Sequence, residues 1–370
     1  MVIHNVQLID PTQGIQTLQC LRITDGRITC MEQGITTEPG ELEIDGQGLL
    51  VSPGFIDAHA HVFGLDNSKG IASVSPDSIG VKQGVTMVVD AGSTGIDNYP
   101  CLKNESPSKT GIKFFVNVSR YGLQEGLSEL ADVNNLMTLT DLNQFQAAHG
   151  EDLVGIKVRM SGSVVKTAGL TPLTHARELS TATGLPLMVH IGNAPPALDE
   201  ILNLLQAGDI VTHYMHGKPG GILDYMSAYR AAVARGVRFD IGHGSSSFCF
   251  ETAKQLLCDS DVAFSISTDL YRHNLDKPVG SLALCMSKFL TLGMSLMDCV
   301  QAVTTLPASY LNIQRPTLAV GQPADLTLFR LVDGAAAANT TLIDSEGCEI
   351  PATQLIVPFA TILGDTVTLV

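Results

Sequence analysis

The chain is poor in positive charge. Its 22 lysines and arginines face 37 aspartates and glutamates, a formal net charge of -15. A face that binds nucleic acid or an anionic membrane is therefore not expected, and the acidic balance reads as solubility. Paired cysteines are missing as well. The eight cysteines, Cys20, Cys30, Cys101, Cys249, Cys258, Cys285, Cys299 and Cys348, are scattered, with no Cys-X-X-Cys. In a chain of 370 residues they read as reduced, mostly buried thiols of a cytoplasmic protein. No apolar run reaches about 18 residues, so no membrane span is expected. The opening "MVIHNVQLID" has no basic stretch before an apolar one, and no secretory leader is expected. No internal repeat and no low-complexity linker is evident.

What is present is mostly apolar. Hydrophobic residues make up 45% and charged residues 16%, which supports a large buried core and excludes a disordered chain. Short β-branched runs recur: "GFIDAHAHV" (54–62), "VTMVVDAGS" (85–93), "IKFFVNVS" (112–119), "LVGIKVRMS" (153–161), "LPLMVHIGN" (185–193), "DIVTHYMHG" (209–217), "VRFDIGHG" (237–244) and "VAFSISTDL" (262–270). Helical spacing lies between them, in "LTHARELSTATG" (173–184), "ALDEILNLLQAG" (197–208) and "ILDYMSAYRAAVARG" (222–236). Strands alternating with helices over about 250 residues fit a (β/α)8 TIM barrel, an α/β fold, better than an open doubly wound sheet.

The two ends differ. Residues 2–32 alternate like antiparallel strands, with Asp-Gly turns at 25–26 and 45–46, and residues 321–333 and 361–370 do the same. Residues 333–347 read as loop. Neither end buries enough alone, so both are expected to build one small β-sandwich. The expected divisions are 1–53 and 317–370 for the sandwich and 54–316 for the barrel.

Each barrel run begins aliphatic and ends in a chemical group: His59 and His61, Asp90, Asn117, Lys157 and Arg159, His190, His213, His243, and Asp269. Five of the ten histidines lie at such ends. In a barrel these ends converge on one mouth. Strand alternation puts His59 with His61 on one face, and Lys157 with Arg159.

Imidazoles and carboxylates are the donors a divalent metal takes. His59, His61, His190, His213 and Asp269 exceed what one tetrahedral ion needs. That points to two ions, which in two-metal hydrolases sit about 3.5–4 Å apart. Lys157 has two readings. It is a rim lysine reaching solvent or a partner for a carboxylate, or it is carboxylated by carbon dioxide into an anion that bridges two cations. His216 competes with His213 for a ligand role; His4, His149 and His175 read as structural.

"VSPGFID", "FIDAHAHV", a strand lysine, "VHIGN", "VTHYMHG", "ISTDL" and "GQPADLTLF" together resemble the amidohydrolase superfamily over essentially the whole chain. The resemblance implies a hydrolase with two divalent metal ions, usually Zn, in a barrel flanked by a composite sandwich. Carried over by position, His59, His61 and Asp269 would hold the more buried ion. His190 and His213 would hold the more exposed one, and carboxylated Lys157 would bridge.

Water held between two such cations loses a proton near neutral pH. Asp269 is placed to orient it, take its proton and pass that proton to the leaving group. Arg159 and His243 are candidate donors to developing negative charge and candidate substrate contacts. Dihydroorotase-like members follow the His-X-His with an arginine that grips the substrate carboxylate. Here Val62, Phe63, Gly64 and Leu65 follow instead. "HAHVFG", "DAGSTG", "IKVRMS", "DIGHGSSSF" and "ISTDLY" look more like the deacetylase-type subgroup, which implies a small N-acyl or O-acyl carboxylic acid as substrate. Arg159, Arg272 and Lys218 are available for its carboxylate. Ser245–Ser247 lack the Gly-X-Ser-X-Gly setting of a nucleophile. The rival readings are a cyclic amide hydrolase of dihydroorotase or hydantoinase type, a catalytically silent barrel serving as an assembly partner, and a phosphate-binding barrel enzyme. The last lacks an evident glycine-rich phosphate loop after strands seven and eight. A homo-oligomer is the expected assembly.

Overall fold

The computed structural model of the protein describes residues 1–64, 72–99, 108–259, 262–314, 317–335 and 340–370. Leu65 and Cys101 fall outside them. Eight parallel strands stand side by side in chain order: Phe55–Ala60, Val85–Ala91, Gly111–Asn117, Leu153–Met160, Leu187–Ile191, Ile210–Thr212, Arg238–Asp240 and Phe264–Ser265. The ring closes just beyond the last strand. The Asp269 amide donates to the His59 carbonyl at 2.6 Å, and the His61 amide to the Leu270 carbonyl at 2.8 Å. All six residues of Phe55–Ala60 are buried, as a strand covered on both faces requires.

Helices fill the connections. Thr171–Thr183 stops at Gly184, whose φ of 75° lets its amide turn back to the Ser180 carbonyl. Leu198–Asn203 is shorter than its apolar pattern, and residues 222–236 split into a 3-10 turn at Ile222–Tyr225 and the helix Met226–Ala234. No helix among the described residues is long and apolar enough to cross a membrane.

The termini build one hydrogen-bonded sheet of eight strands. Its path runs through Thr366–Leu369, Gln354–Leu363, Asp325–Asp333, Leu50–Pro53, Val2–Asp10, Ile15–Thr24 and Arg27–Glu32, with Glu43–Asp45 pairing beside Val2–Asp10. Both ends feed one apolar core, including Ile3, Leu8, Leu21, Leu326, Leu328 and Ile362. Alternation sends Phe329 the other way, onto Phe55 of the first barrel strand, ring centroids 5.5 Å apart.

Asp25 and Gly26 both carry positive φ, as a tight hairpin turn demands. The second Asp-Gly closes no hairpin: Glu43–Asp45 runs parallel to Val2–Asp10, and the Gly46 amide bonds the His4 carbonyl at 2.7 Å. The stretch 333–347 is not all loop either, since Thr341–Ile343 pairs antiparallel with Glu349–Pro351. The seven described cysteines are free, and Cys20, Cys249, Cys285 and Cys299 are buried.

Candidate metal centre

The strand ends bring the expected donors to one place. Lys157 Nζ lies 3.1 Å from His59 Nε2. Asp269 Oδ1 lies 3.4 Å from His59 Nε2 and 3.1 Å from His61 Nε2. The His213 ring centroid is 5.0 Å from that of His59 and 4.3 Å from that of His190. His59, His213 and Asp269 each offer a ligand atom, all within 4.8 Å of one another. His59, His61, Lys157, His190 and Asp269 line a cavity of about 380 Å³, together with Arg159, Asn193, Lys218, Ser245–Ser247, Tyr271 and His273.

The outer nitrogens of the imidazoles are held from behind. His59 Nδ1 meets the Thr212 hydroxyl at 2.9 Å, and that hydroxyl donates to Asp240 at 2.8 Å. Asp240 also accepts from Ser265 and Ser267. His61 Nδ1 meets Ser93 Oγ at 2.7 Å, and Ser93 donates to Asp90. Asp90 accepts from the Val62 and Phe63 amides too, so one carboxylate fixes both His61 and the chain after it. His213 Nδ1 bonds the Gly242 carbonyl at 2.5 Å, while its Nε2, fully buried, has no protein partner. A buried polar atom without a partner carries a free-energy cost that a ligand would remove.

Two of these residues sit in a costly backbone conformation. His213 has φ 72° and Asp269 φ 55°. Left-handed backbone costs a non-glycine residue roughly 1–2 kcal/mol. Backbone bonds hold both: the His213 amide to the Asp240 carbonyl, and Asp269 to His59 across the ring closure. Asp57 reinforces that closure, accepting from the Thr268 amide at 3.0 Å and from the Thr268 hydroxyl. Gly92 makes room for the lysine; a Cβ there would lie 2.5 Å from Lys157 Cβ.

Burial sets the protonation states. It pushes Lys157 down to about 7, so a neutral amine is accessible near neutral pH. It pushes His190 and His213 well below the usual imidazole range, and His59 below it, leaving neutral rings able to act as donors. For Asp269 burial works upward, but the imidazoles of His59, His213 and His61 gathered around it outweigh burial. That carboxylate is held below its usual range. Asp57 is raised by burial to about 7.

Other expected residues stand apart. His243 is fully buried and is not among the residues lining the cavity. Its Nε2 lies 2.6 Å from Lys288 Nζ, and its ring rests 4.7 Å from that of Phe248. Gly242 and Gly244, both at positive φ, flank it, so strand alternation no longer fixes its direction. His216 is buried and is not among the residues lining the cavity; its Nδ1 accepts from the Lys218 amide at 3.1 Å. Arg159 does reach the cavity, with Nη1 held by Glu129 at 2.9 Å. Arg272 is exposed and outside the lining. Phe63 is core, packed on Tyr99 and Phe114. The supports Asp57, Ser93, Thr212, Asp240 and Glu129 were not singled out from sequence. Asp57 carried a usable signal, since it shares the strand face of His59 and His61.

The barrel gathers histidines and an aspartate at its C-terminal strand ends, a donor set that could hold a divalent ion. The model of the amidohydrolase family matches residues 50–351, and the chain belongs to that family. A protein of Enterococcus faecalis named deacetylase is 39% identical over 329 residues, covering 86% of this chain and 86% of its own. A deacetylase of Brucella anthropi is 35% identical over 351 residues, covering 92% and 85%. A solved structure described as a dihydroorotase superposes with a TM-score of 0.92 at 33% identity, covering 100% of this chain and 97% of the other. The family and the names of these relatives support a hydrolase.

Proposed function

We propose that the protein is a metal-dependent hydrolase that cleaves the amide or ester bond of small N-acyl or O-acyl carboxylic acids, acetyl compounds foremost. The observation that carries this reading is the buried set of neutral imidazoles facing Asp269, with His213 Nε2 unpartnered. The donor chemistry fits divalent ions: neutral nitrogens, one ionised carboxylate and a buried amine. His59, His61 and Asp269 would hold one ion, His190 and His213 a second, and Lys157, carboxylated on its neutral amine, would lie between them. Zinc suits this nitrogen-rich set. Such ions would polarise the scissile carbonyl and make water acidic enough to attack it.

The chain's own residues have distinct tasks in this reading. Asp269, ionised and within 3.4 Å of His59 Nε2, orients the attacking water, takes its proton and returns it to the departing amine or alcohol. Arg159 lines the cavity and donates to the substrate or to the charge that develops on its carbonyl oxygen. Thr212 with Asp240, and Ser93 with Asp90, keep the two rings of the His-X-His from rotating.

Cyclic amide hydrolysis is the second reading, favoured by the likeness to a structure described as a dihydroorotase. Against it, Phe63 is buried in the core and carries no charge for a substrate carboxylate. The deciding experiment offers zinc-loaded protein two substrate sets side by side. One holds acetylated amino and hydroxy acids of both hands, the other dihydroorotate and hydantoins. Turnover of the first set alone is expected; turnover of the second alone would replace the deacetylase reading with the cyclic amidase.

A further inference from the structure

Three long basic side chains line the cavity, and they are not equally committed. Lys157 is buried against His59. Arg159 Nη1 donates to both oxygens of Glu129, at 3.2 and 2.9 Å, and the Glu129 side chain is only 2% exposed. That guanidinium already has its counter-charge. Lys218, in the loop after the sixth barrel strand, is half-buried, and no carboxylate among the described residues lies within 4.0 Å of its ammonium. Its side-chain contact is the Ser246 hydroxyl at 3.4 Å. A second hydroxyl pair lines the cavity, Ser245 Oγ and Tyr271 Oη at 2.9 Å, Ser245 being the chain neighbour of Ser246.

We propose that Lys218, assisted by the hydroxyls of Ser245, Ser246 and Tyr271, is the subsite that takes the carboxylate of the acylated substrate. The proposal rests on the acyl-acid reading above and assigns the residue that selects for the acid. These groups come from the loops after strands six, seven and eight, whereas Arg159 ends strand four. In a ring of eight, a substrate gripped at Lys218 can present its acyl carbonyl toward the histidines between. The Lys218 backbone is anchored, its amide donating to His216 Nδ1 at 3.1 Å, so the side chain starts from a fixed point. A half-desolvated ammonium with no carboxylate within 4.0 Å among the described residues gains from a bound carboxylate, and a charge-assisted bond is stronger than a neutral one. The ammonium also feels Asp269, whose field opposes the effect of burial on it.

The test uses the zinc-loaded full chain with N-acetylalanine and N-acetylalaninamide of both hands, the amide being the same molecule without the negative charge. The readout is the ratio of kcat/KM for the acid to that for the amide. For Lys218→Met this ratio is expected to fall about 10- to 100-fold, through KM, with Lys218→Arg recovering much of it. Equal losses on acid and amide would mean a structural role and overturn the proposal. An unchanged ratio would overturn it as well, leaving the acyl-acid reading intact. Wild-type protein that hydrolyses no acylated acid would remove that reading, and this proposal with it.

Discussion

As the proposed base, Asp269 must be ionised to take a proton, and its neighbours keep it so in the lining of a cavity. Asp269→Asn keeps the shape and an oxygen ligand but cannot accept the proton. It should retain most bound metal while kcat falls by about 10²- to 10⁴-fold; metal analysis beside steady-state kinetics separates the two, and retained turnover removes Asp269 as the base. Lys157 meets a different demand. An ammonium at its position, 1% exposed and 3.1 Å from His59 Nε2, would repel cations; a carboxylated amine would attract them. Lys157→Ala is expected to lose bound metal and to regain part of it when a short carboxylic acid such as acetate is added. A metal count equal to wild type would end the bridging role.

At the scale of the element, the barrel strands do their work at their last residue. The turn after the second strand passes so close to the fourth that Gly92, at φ 78°, leaves no room for a methyl group beside Lys157. Gly92→Ala should cost about 1–3 kcal/mol in urea denaturation and displace the lysine, reducing metal content with it. The strand sequences made most of this centre legible, because aliphatic runs ending in His, Lys or Asp leave few other places for those groups. Legibility stopped where the strands stop. Arg238–Asp240 ends three residues before His243, and the two left-handed glycines beyond it turn that ring toward Lys288. The Asp-Gly at 45–46 carried the usual hairpin signal, yet its strand pairs in parallel with Val2–Asp10, a long-range choice that local turn chemistry does not encode. Asp240 and Glu129 stayed hidden because their partners are far away in sequence.

For the molecule as a whole, the buried histidines make stability depend on acid. His59, His190 and His213 are neutral in the fold at pH values where free imidazole, with its ordinary 6.5, is charged. A base with a lowered pKa binds protons more readily once unfolded, so the stability present above 6.5 is lost as the pH falls below it. Asp57, raised to about 7, and Asp325, raised to about 6, oppose this, each binding a proton in the fold as the pH falls toward 3.8. The three histidines outnumber these two carboxyls. The unfolding free energy of metal-free protein, read by urea denaturation, should therefore drop between pH 7 and 5.5, by about 1.4 kcal/mol per pH unit for each net proton; a stability that rises over that range would contradict the burial of neutral rings. The seam between sheet and barrel is a second shared dependence. Phe329→Ala removes the ring that meets Phe55 and should cost about 3–5 kcal/mol, read as a fall in thermal midpoint.

The pairing of Leu50–Pro53 with Asp325–Asp333 also sets an order of events during synthesis. A ribosome delivers the first strands of the terminal sheet early and their partners more than 270 residues later, as the spacing from Pro53 to Leu326 requires. At an elongation rate of about 5–20 residues per second, the nascent N-terminal strands wait tens of seconds with an unpaired edge. Over that interval the edge of Leu50–Pro53 lacks the strand that covers it in the folded protein.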